Sequence, residues 1–194
     1  TADAKTSWPA FAAGVATAVL AVPIAPLALP ILPVPTFLAY QRALHREPRT
    51  EERHRMGALA QQYADMFGWP ELADSVAKAA EPLSPAERAA QNVVVGNYGE
   101  AGALEHFGAG RVPQVVCQHN NFYLWGPPQW DGRVAMFVGR DSAEVAGEFA
   151  GVRAVGTASH PPAMPAEHHM HTISPPRPRG PLPAFLAAGA VPQP

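Results

Sequence analysis

The densest group of polar side chains that could do chemistry lies in the middle of the chain. His119, Asn120 and Asn121 directly follow an apolar run, residues 113–118, that is typical of a buried strand. An imidazole can act as a general base or bind a ligand, and a neighbouring amide can orient that ligand. Because Asn also favours turns and satisfies the backbone of loops, a purely structural role stays open for these residues.

Two more groups of polar and aromatic residues accompany this cluster. Asn97, Tyr98 and Glu100 follow a second apolar run, and Trp125 lies in the aromatic stretch after Asn121. Tyr and Trp suit the faces of sugars, because they combine an apolar surface with a polar tip. Helix capping is a sufficient alternative for the Asn and the Glu. The predicted ligand-binding residues are Asn97, Tyr98, Glu100, His119, Asn120 and Trp125.

Other reactive residue types give weaker indications. Cys117 lies inside an apolar strand and is expected to be a small buried side chain. His169 and His171 would share one face of a strand and could both bind zinc, but no third ligand is fixed near them. The alternative for this histidine-rich stretch, which includes His168, is an exposed edge strand. We therefore predict no metal and no cofactor.

The elements that would position these residues alternate between strand and helix. Short apolar runs predict strands at residues 92–96, 113–118, 134–138 and 152–157. Capping signals at Ser84 and Asp141 predict helices that begin there, and Gly108 ends a third helix from Glu100. Thr50 predicts a helix to Tyr63, and Pro70 opens another. The pattern favours an α/β domain with a small, mostly parallel sheet flanked by helices.

The beginning of the chain has a different composition. From Trp8 to Leu29 no residue is charged, and a helix of that length spans roughly 33 Å, enough for the apolar core of a bilayer. Pro23 and Pro26 are expected to kink or end this helix. The prolines at 30, 33 and 35 favour an extended exit rather than a second helix. A signal peptide and the core helix of a soluble protein are the alternatives to a transmembrane helix.

Proline is concentrated at two places and divides the chain into three parts. Residues 20–40 and 161–194 hold most of the 23 prolines. We expect a last transmembrane helix with a proline-rich exit at 1–40, a soluble α/β domain at 41–160 and a proline-rich tail at 161–194. The net charge of −2 provides no basic field for nucleic acid.

Three segments in the middle part resemble a known family. They are QYADMFGWPE at residues 62–71, NYGEAGA at 97–103 and HNNFYLWGP at 119–127. In order and approximate spacing they resemble the C-terminal part of bacterial glycosyltransferase family 39, which is related to protein O-mannosyltransferases and aminoarabinose transferases. Residues 25–33 also resemble the exit from the family's last membrane helix.

The resemblance implies a membrane glycosyltransferase of the GT-C class. Such an enzyme moves a sugar from a polyprenyl-phosphate donor to a lipid, glycan or protein acceptor. Its catalytic acidic residue lies in the N-terminal half, so none is assigned here and the chain by itself is expected to be inactive. The resemblance also places the domain on the extracytoplasmic side of the bacterial inner membrane. The arginines that follow residue 41 favour the cytoplasmic side, but that rule is weak for a terminal domain.

Two other functions stay open on the sequence. A free-standing soluble α/β ligand-binding protein would fold the apolar head into its own core. A hydrolase would pair His119 with Asp131 or Glu100, but no Ser or Cys nucleophile stands on a suitable turn. We expect the transferase domain rather than either of these.

Overall fold

The computed structural model describes residues 7–46, 57–125, 136–140, 142–163, 170–174 and 177–178. The chain divides into two compact units, which we call the N-terminal unit, Thr1–Tyr63, and the α/β unit, Ala64–Pro194. Each unit is described separately.

The N-terminal unit opens with the predicted apolar helix. Helix α1, Ser7–Ala28, runs through Pro23 and Pro26 without ending at either. The stretch Trp8–Ala28 is long and apolar enough to cross a bilayer, with a mean hydropathy of 2.0, and none of it is buried. A signal sequence passes the same test of length and composition, whereas a core helix of a soluble protein is mostly buried.

The extended exit predicted after α1 is wrong. Helix α2, Val34–Ala43, follows α1 after a short break, with Pro33 as its N-cap and Pro35 in its first turn. Proline is compatible with the first turn of a helix because the N–H groups there have no intrahelical acceptor. The prolines therefore set the start of a second helix instead of preventing it.

The prolines also change the hydrogen bonding at the end of α1. Pro30 and Pro33 have no N–H, so the carbonyls of Pro26 and Leu29 lack the usual helical partner four residues on. The Leu29 carbonyl accepts instead from the N–H of Ile31 at 2.8 Å. The hydroxyl of Tyr63 lies 3.1 Å from the carbonyl oxygen of Pro26 and 2.7 Å from that of Leu29. The side chain of Gln62 donates to the carbonyl of Leu27 at 3.1 Å.

The helix predicted from Thr50 to Tyr63 is corrected where the structure describes it. Residues 47–56 lie outside the described part, 57–60 are not helical, and helix α3 covers only Gln61–Ala64. The ring of Tyr63 stacks on Phe37 with centroids 3.9 Å apart, and both rings are buried. This stacking and the bonds to the end of α1 hold Tyr63 within the short helix α3.

The α/β unit contains the remaining elements. Its helices are α4 Trp69–Ala80, α5 Pro85–Ala90, α6 Tyr98–Phe107, α7 Asn121–Trp125 and α8 Ser142–Glu148. Its strands are β1 Asn92–Val95, β2 Gln114–Cys117, β3 Met136–Val138, β4 Phe149–Ala150, β5 Arg153–Ala158, β6 Met170–Ser174 and β7 Arg177–Pro178. The structure confirms the α/β fold class.

The main sheet has the strand order β2-β1-β3-β6-β5. Strands β2, β1 and β3 are parallel to one another, and β6 is antiparallel to both β3 and β5. Strand β5 consequently runs in the same direction as β1. Among the described strands of this sheet, only β6 runs against the others, which confirms a mostly parallel sheet.

The position of β6 corrects one expectation. The stretch around His171 was expected to be an exposed edge strand if it held no metal, but β6 lies between β3 and β5 and pairs with both. The hydrophobic pattern of a single strand does not show which strands flank it, because pairing partners can lie far away in the sequence. The edge next to β6 is instead formed by β5.

The two faces of the sheet have separate apolar cores. On one face Leu72 and Val76 of α4 and Leu104 of α6 pack against Val93 and Val95 of β1. On the other face Val94 packs with Phe137, Val145 of α8 and Phe149. The uninterrupted valine run of β1 is therefore explained by burial on both faces.

Candidate functional site

The candidate site lies where the chain leaves the ends of the parallel strands. After β1 the chain crosses through α6 to β2 on one side, whereas β3 lies on the other side of β1. Ligands in open α/β sheets bind beyond the carboxyl ends of the strands where the strand order reverses in this way. We call this side of the sheet the carboxyl edge.

A capping box builds the turn between β1 and α6. Asn97 is the N-cap of α6, and its side-chain oxygen accepts a hydrogen bond from the N–H of Glu100 at 2.9 Å. One carboxylate oxygen of Glu100 accepts from the N–H groups of Gly96 at 2.8 Å and Asn97 at 3.2 Å. The expected capping roles of Asn97 and Glu100 are confirmed, and they fill the backbone donors that a ligand could otherwise use.

Glu100 also connects two strand ends. Its side chain is 4% exposed, and its other carboxylate oxygen lies against Gly139, the residue after β3. Gly139 has φ +72°, and a Cβ on it would collide with that oxygen. Burial raises the pKa of Glu100 above its ordinary value, although the two backbone hydrogen bonds act in the opposite direction.

An open cleft of about 370 Å³ lies beside this turn. Its floor includes Val94 and Val116, which are almost fully buried. The remaining lining residues are Val95, Gly96, Asn97, Gln118, His119 and Arg140. The polar side chains of the lining come from the segments after β1, β2 and β3, so the three strand ends combine to make one cleft.

His119 is the residue of the predicted cluster that faces this cleft. Its backbone N–H lies 3.4 Å from the sulfur of Cys117, and its ring lies 5.2 Å from the ring of Tyr98. Asn120 has φ +52°, a left-handed conformation that Asn tolerates better than most residues. Asn120 therefore adopts a turn conformation, and the residue before it, His119, lines the cleft.

Four of the six predicted site residues lie outside the lining of the cleft: the buried Glu100, and three others. Tyr98 and Asn120 flank His119 and are exposed, and Trp125 lies at the end of α7. Helix α7 itself was not predicted, since the aromatic stretch after Asn121 shows no helical periodicity. The ring of Trp125 meets the edge of Phe122 with centroids 5.2 Å apart.

Arg140 and Gln118 line the cleft and were not predicted as site residues. The guanidinium of Arg140 lies over the ring of Phe137, 5.4 Å from its centroid. The Gly139-Arg140 turn follows a predicted strand, which was a signal for its position at the sheet edge. The sequence did not show that β3 lies next to β1, and only this neighbourhood brings Arg140 to His119.

The remaining segment of the family resemblance, residues 62–71, makes contacts outside the cleft. Trp69 lies so close to Gly99 that a Cβ there would be 3.1 Å from its ring. The imidazole of His160 stacks on Phe67 at 5.5 Å and lies 3.1 Å from the carboxylate of Glu71. These residues hold the start of α4 against the unit, and they do not line the cleft.

The residues predicted for metal and thiol chemistry lie only partly within the described part of the chain. His168 and His169 lie outside them, and within the described part of the chain no three His, Cys, Asp or Glu side chains form a group that could hold a metal ion. Asp131, the proposed partner of His119 in a hydrolase, also lies outside. Cys117 is buried as predicted, and burial raises the pKa of its thiol.

Neither a protein-family model, nor a curated protein, nor a solved structure matches this chain. The resemblance to glycosyltransferase family 39 therefore depends on the three segments and the stretch 25–33 alone.

The contact between Glu100 and Gly139 yields the first prediction. Gly139→Ala is expected to destabilise the α/β unit by about 1–3 kcal/mol more than Gly110→Ala, because its Cβ meets the buried carboxylate. Gly110 is a matched control, since it also has φ +72° but has nothing within 4 Å of the added Cβ. Hydrogen exchange of the β1 and β3 amides measures the difference, and equal losses in the two variants would contradict the contact.

The raised pKa of Glu100 yields the second prediction. Between its ordinary value near 4.5 and the higher folded value, the folded chain keeps a proton that the unfolded chain releases. The free energy of unfolding therefore falls as pH rises through this window, and Glu100→Gln removes that fall. Urea unfolding from about pH 4 to about pH 8 should show wild type losing stability relative to the variant. A constant difference across this range would show that hydrogen bonding offsets burial.

Proposed function

We propose that this chain is the C-terminal part of a membrane glycosyltransferase and that its α/β unit is an extracytoplasmic domain that binds the substrate. The full-length protein would take the sugar from a polyprenyl-phosphate donor and pass it to a lipid, glycan or protein acceptor. The catalytic acidic residue would lie outside this chain.

The observation that carries the proposal is the mixed character of the cleft. Its floor has valine side chains, whereas the side chains of Gln118, His119 and Arg140 at its polar side can all donate hydrogen bonds. The Glu100 carboxylate is turned into the β1–α6 turn, where it accepts from backbone N–H groups. A surface with apolar contacts and donors suits an amphipathic ligand that carries phosphate or hydroxyl groups.

The membrane part of the proposal is supported by α1. Its large apolar side chains are exposed on all sides, including Phe11, Val19, Leu20 and Ile24. A helix that is apolar all round is stable where it is surrounded by protein or by lipid. Nothing in the described residues buries it, which favours lipid.

His119 provides the test of the binding site. His119→Ala should weaken the binding of a short, water-soluble prenyl phosphate by roughly three- to tenfold, the value of one hydrogen bond to a ligand. Isothermal titration calorimetry on the detergent-solubilised chain measures the affinity. The same substitution should lower sugar transfer by the full-length protein at normal expression.

His106→Ala is the matched control for this experiment. His106 is also an exposed histidine, but it lies near the end of α6, away from the cleft lining. Both variants should keep the circular dichroism spectrum of the wild type. Unchanged binding and transfer in the His119 variant, or equal losses in both variants, would contradict the role of the cleft.

A soluble ligand-binding protein is the alternative, and α1 discriminates between the two. Val15→Glu combined with Val19→Glu should shift the chain from the membrane fraction to the soluble fraction, because each charge at the centre of a spanning helix costs about 2.5–3.5 kcal/mol on insertion. Ala86→Glu combined with Ala89→Glu adds the same charges to exposed positions of α5 and should change nothing. A wild-type chain that is soluble without detergent would favour the alternative.

A further inference from the structure

The turn between β1 and α6 lies where parallel sheets commonly bind phosphate. The N–H groups at the start of such a helix point at the ligand, and the helix dipole favours a negative charge there. Here the chain itself supplies that charge. One carboxylate oxygen of Glu100 accepts from the N–H groups of Gly96 and Asn97, and the Asn97 side chain accepts from the N–H of Glu100. A phosphate group would therefore find these donors already used.

The carboxylate of Glu100 lies directly behind the wall of the cleft. Gly96 lines the cleft and is exposed, whereas Glu100 is buried. A Cβ added to Gly96 would lie 3.5 Å from the carboxylate oxygen, so a ligand that packs on Gly96 comes close to the charge. Water screens a buried charge poorly. At roughly 7 Å and an effective dielectric constant of about 20, two negative charges weaken binding by about tenfold or more.

The polar side chains of the cleft suit an uncharged partner. Gln118 carries both a donor and an acceptor, and a neutral imidazole at His119 does the same. A hydroxyl group also donates and accepts, so it can pair in both directions, whereas an ionised phosphate only accepts. The floor, with Val94 and Val116, adds an apolar surface for the C–H groups of a sugar ring.

Arg140 also lines the cleft, and its positive charge acts in the opposite sense to the carboxylate. It directly follows Gly139, against which the second carboxylate oxygen of Glu100 lies, so both charges belong to the same part of the cleft. The contribution of Glu100 is therefore measured by removing its charge alone, with two ligands that differ in charge.

We propose that Glu100 determines the specificity of the cleft by excluding phosphate from the β1–α6 turn, so that the cleft takes an uncharged, hydroxyl-bearing group such as a sugar ring. This inference rests on the proposed function and deepens it. The sugar of a lipid-linked ligand enters the cleft, and its phosphate stays outside the turn. Glu100 acts through its charge, without touching the ligand.

Glu100→Gln tests the role of the charge. The variant keeps an oxygen for the backbone N–H groups and the length of the side chain, but it is neutral. Calorimetry on the detergent-solubilised chain compares a prenyl phosphate with a prenyl glucoside that has the same short prenyl chain. The pH is about 8, where a phosphate monoester has lost its second proton. The affinity for the phosphate should rise by about tenfold, whereas that for the glucoside should change by less than about twofold.

Glu105→Gln is the matched control. Glu105 lies on the same helix, but it is exposed and lies outside the cleft lining, so water screens its charge. This substitution should leave both affinities unchanged. The inference is overturned if Glu100→Gln changes both affinities equally or changes neither. It is also overturned if Glu105→Gln gives the same gain for the phosphate.

A measurement on the wild-type chain keeps the inference testable if the Glu100 variant does not fold. A prenyl sulfate keeps its negative charge at all the pH values used, and a nearby anion disfavours the carboxylate form of Glu100. Binding at about pH 5 to 7 should therefore take up protons, which calorimetry in buffers of different ionisation enthalpy measures. Cys117 stays protonated there because burial raises the pKa of its thiol, and Arg140 stays charged.

His119 is the remaining titratable group of the cleft lining, and His119→Ala removes it. Proton uptake should persist in this variant. Uptake that disappears with His119 overturns the inference, and so does the absence of uptake in both chains.

The same data separate this inference from the proposed function. If the wild-type chain binds both probes and Glu100→Gln gives no selective gain for the phosphate, the inference fails and the proposed binding site remains. If neither probe binds the wild-type chain or the Glu100 variant, the binding role of the cleft fails as well.

Discussion

The carboxylate of Glu100 is the constraint on which the candidate site depends. It occupies the backbone donors at the start of α6 and lies against the turn that follows β3, so one buried group fixes the ends of two neighbouring strands. Burial of a charge is unfavourable unless hydrogen bonds compensate for it. Burial raises the pKa of Glu100, although the two backbone hydrogen bonds lower it. Glu100 could have been interpreted as a catalytic acid, but its contacts give it a structural role. The side chains of Gln118, His119 and Arg140 then provide hydrogen-bond donors in the cleft beside it.

Local interactions explain what could be predicted from the sequence. The capping boxes of Ser84 with Glu87 and of Asn97 with Glu100 form between residues three apart, so their effect is visible in a short stretch. The valine run of β1 needs two covered faces wherever its neighbours are, which makes a buried strand the simplest interpretation. His119 at a strand end was predictable for the same reason, since the end of a strand is marked locally.

Pairing between distant segments explains what could not. Strand β6 inserts between β3 and β5, and no local signal in its sequence specifies two partners. Arg140 reaches the cleft only because β3 lies beside β1, which the order of elements along the chain leaves open. Helix α7 was missed because four successive large side chains carry no helical period, and its anchor, Phe122, is recognisable only once the core is known.

The prolines of the N-terminal unit explain why residues of the segment 62–71 bond to the end of α1. Proline at 30 and 33 has no N–H to donate to the carbonyls of Pro26 and Leu29 at the end of α1. Gln62 and Tyr63 supply donors to that end from the first two positions of a segment that resembles the transferase family. Later positions of the same segment do other structural work, since Trp69 packs on Gly99 and Glu71 pairs with His160. The resemblance is thus carried largely by residues that hold the fold together, so it bears on architecture more directly than on the ligand. Evidence on the ligand has to come from the residues at the strand ends, where His119 and Arg140 both line the cleft.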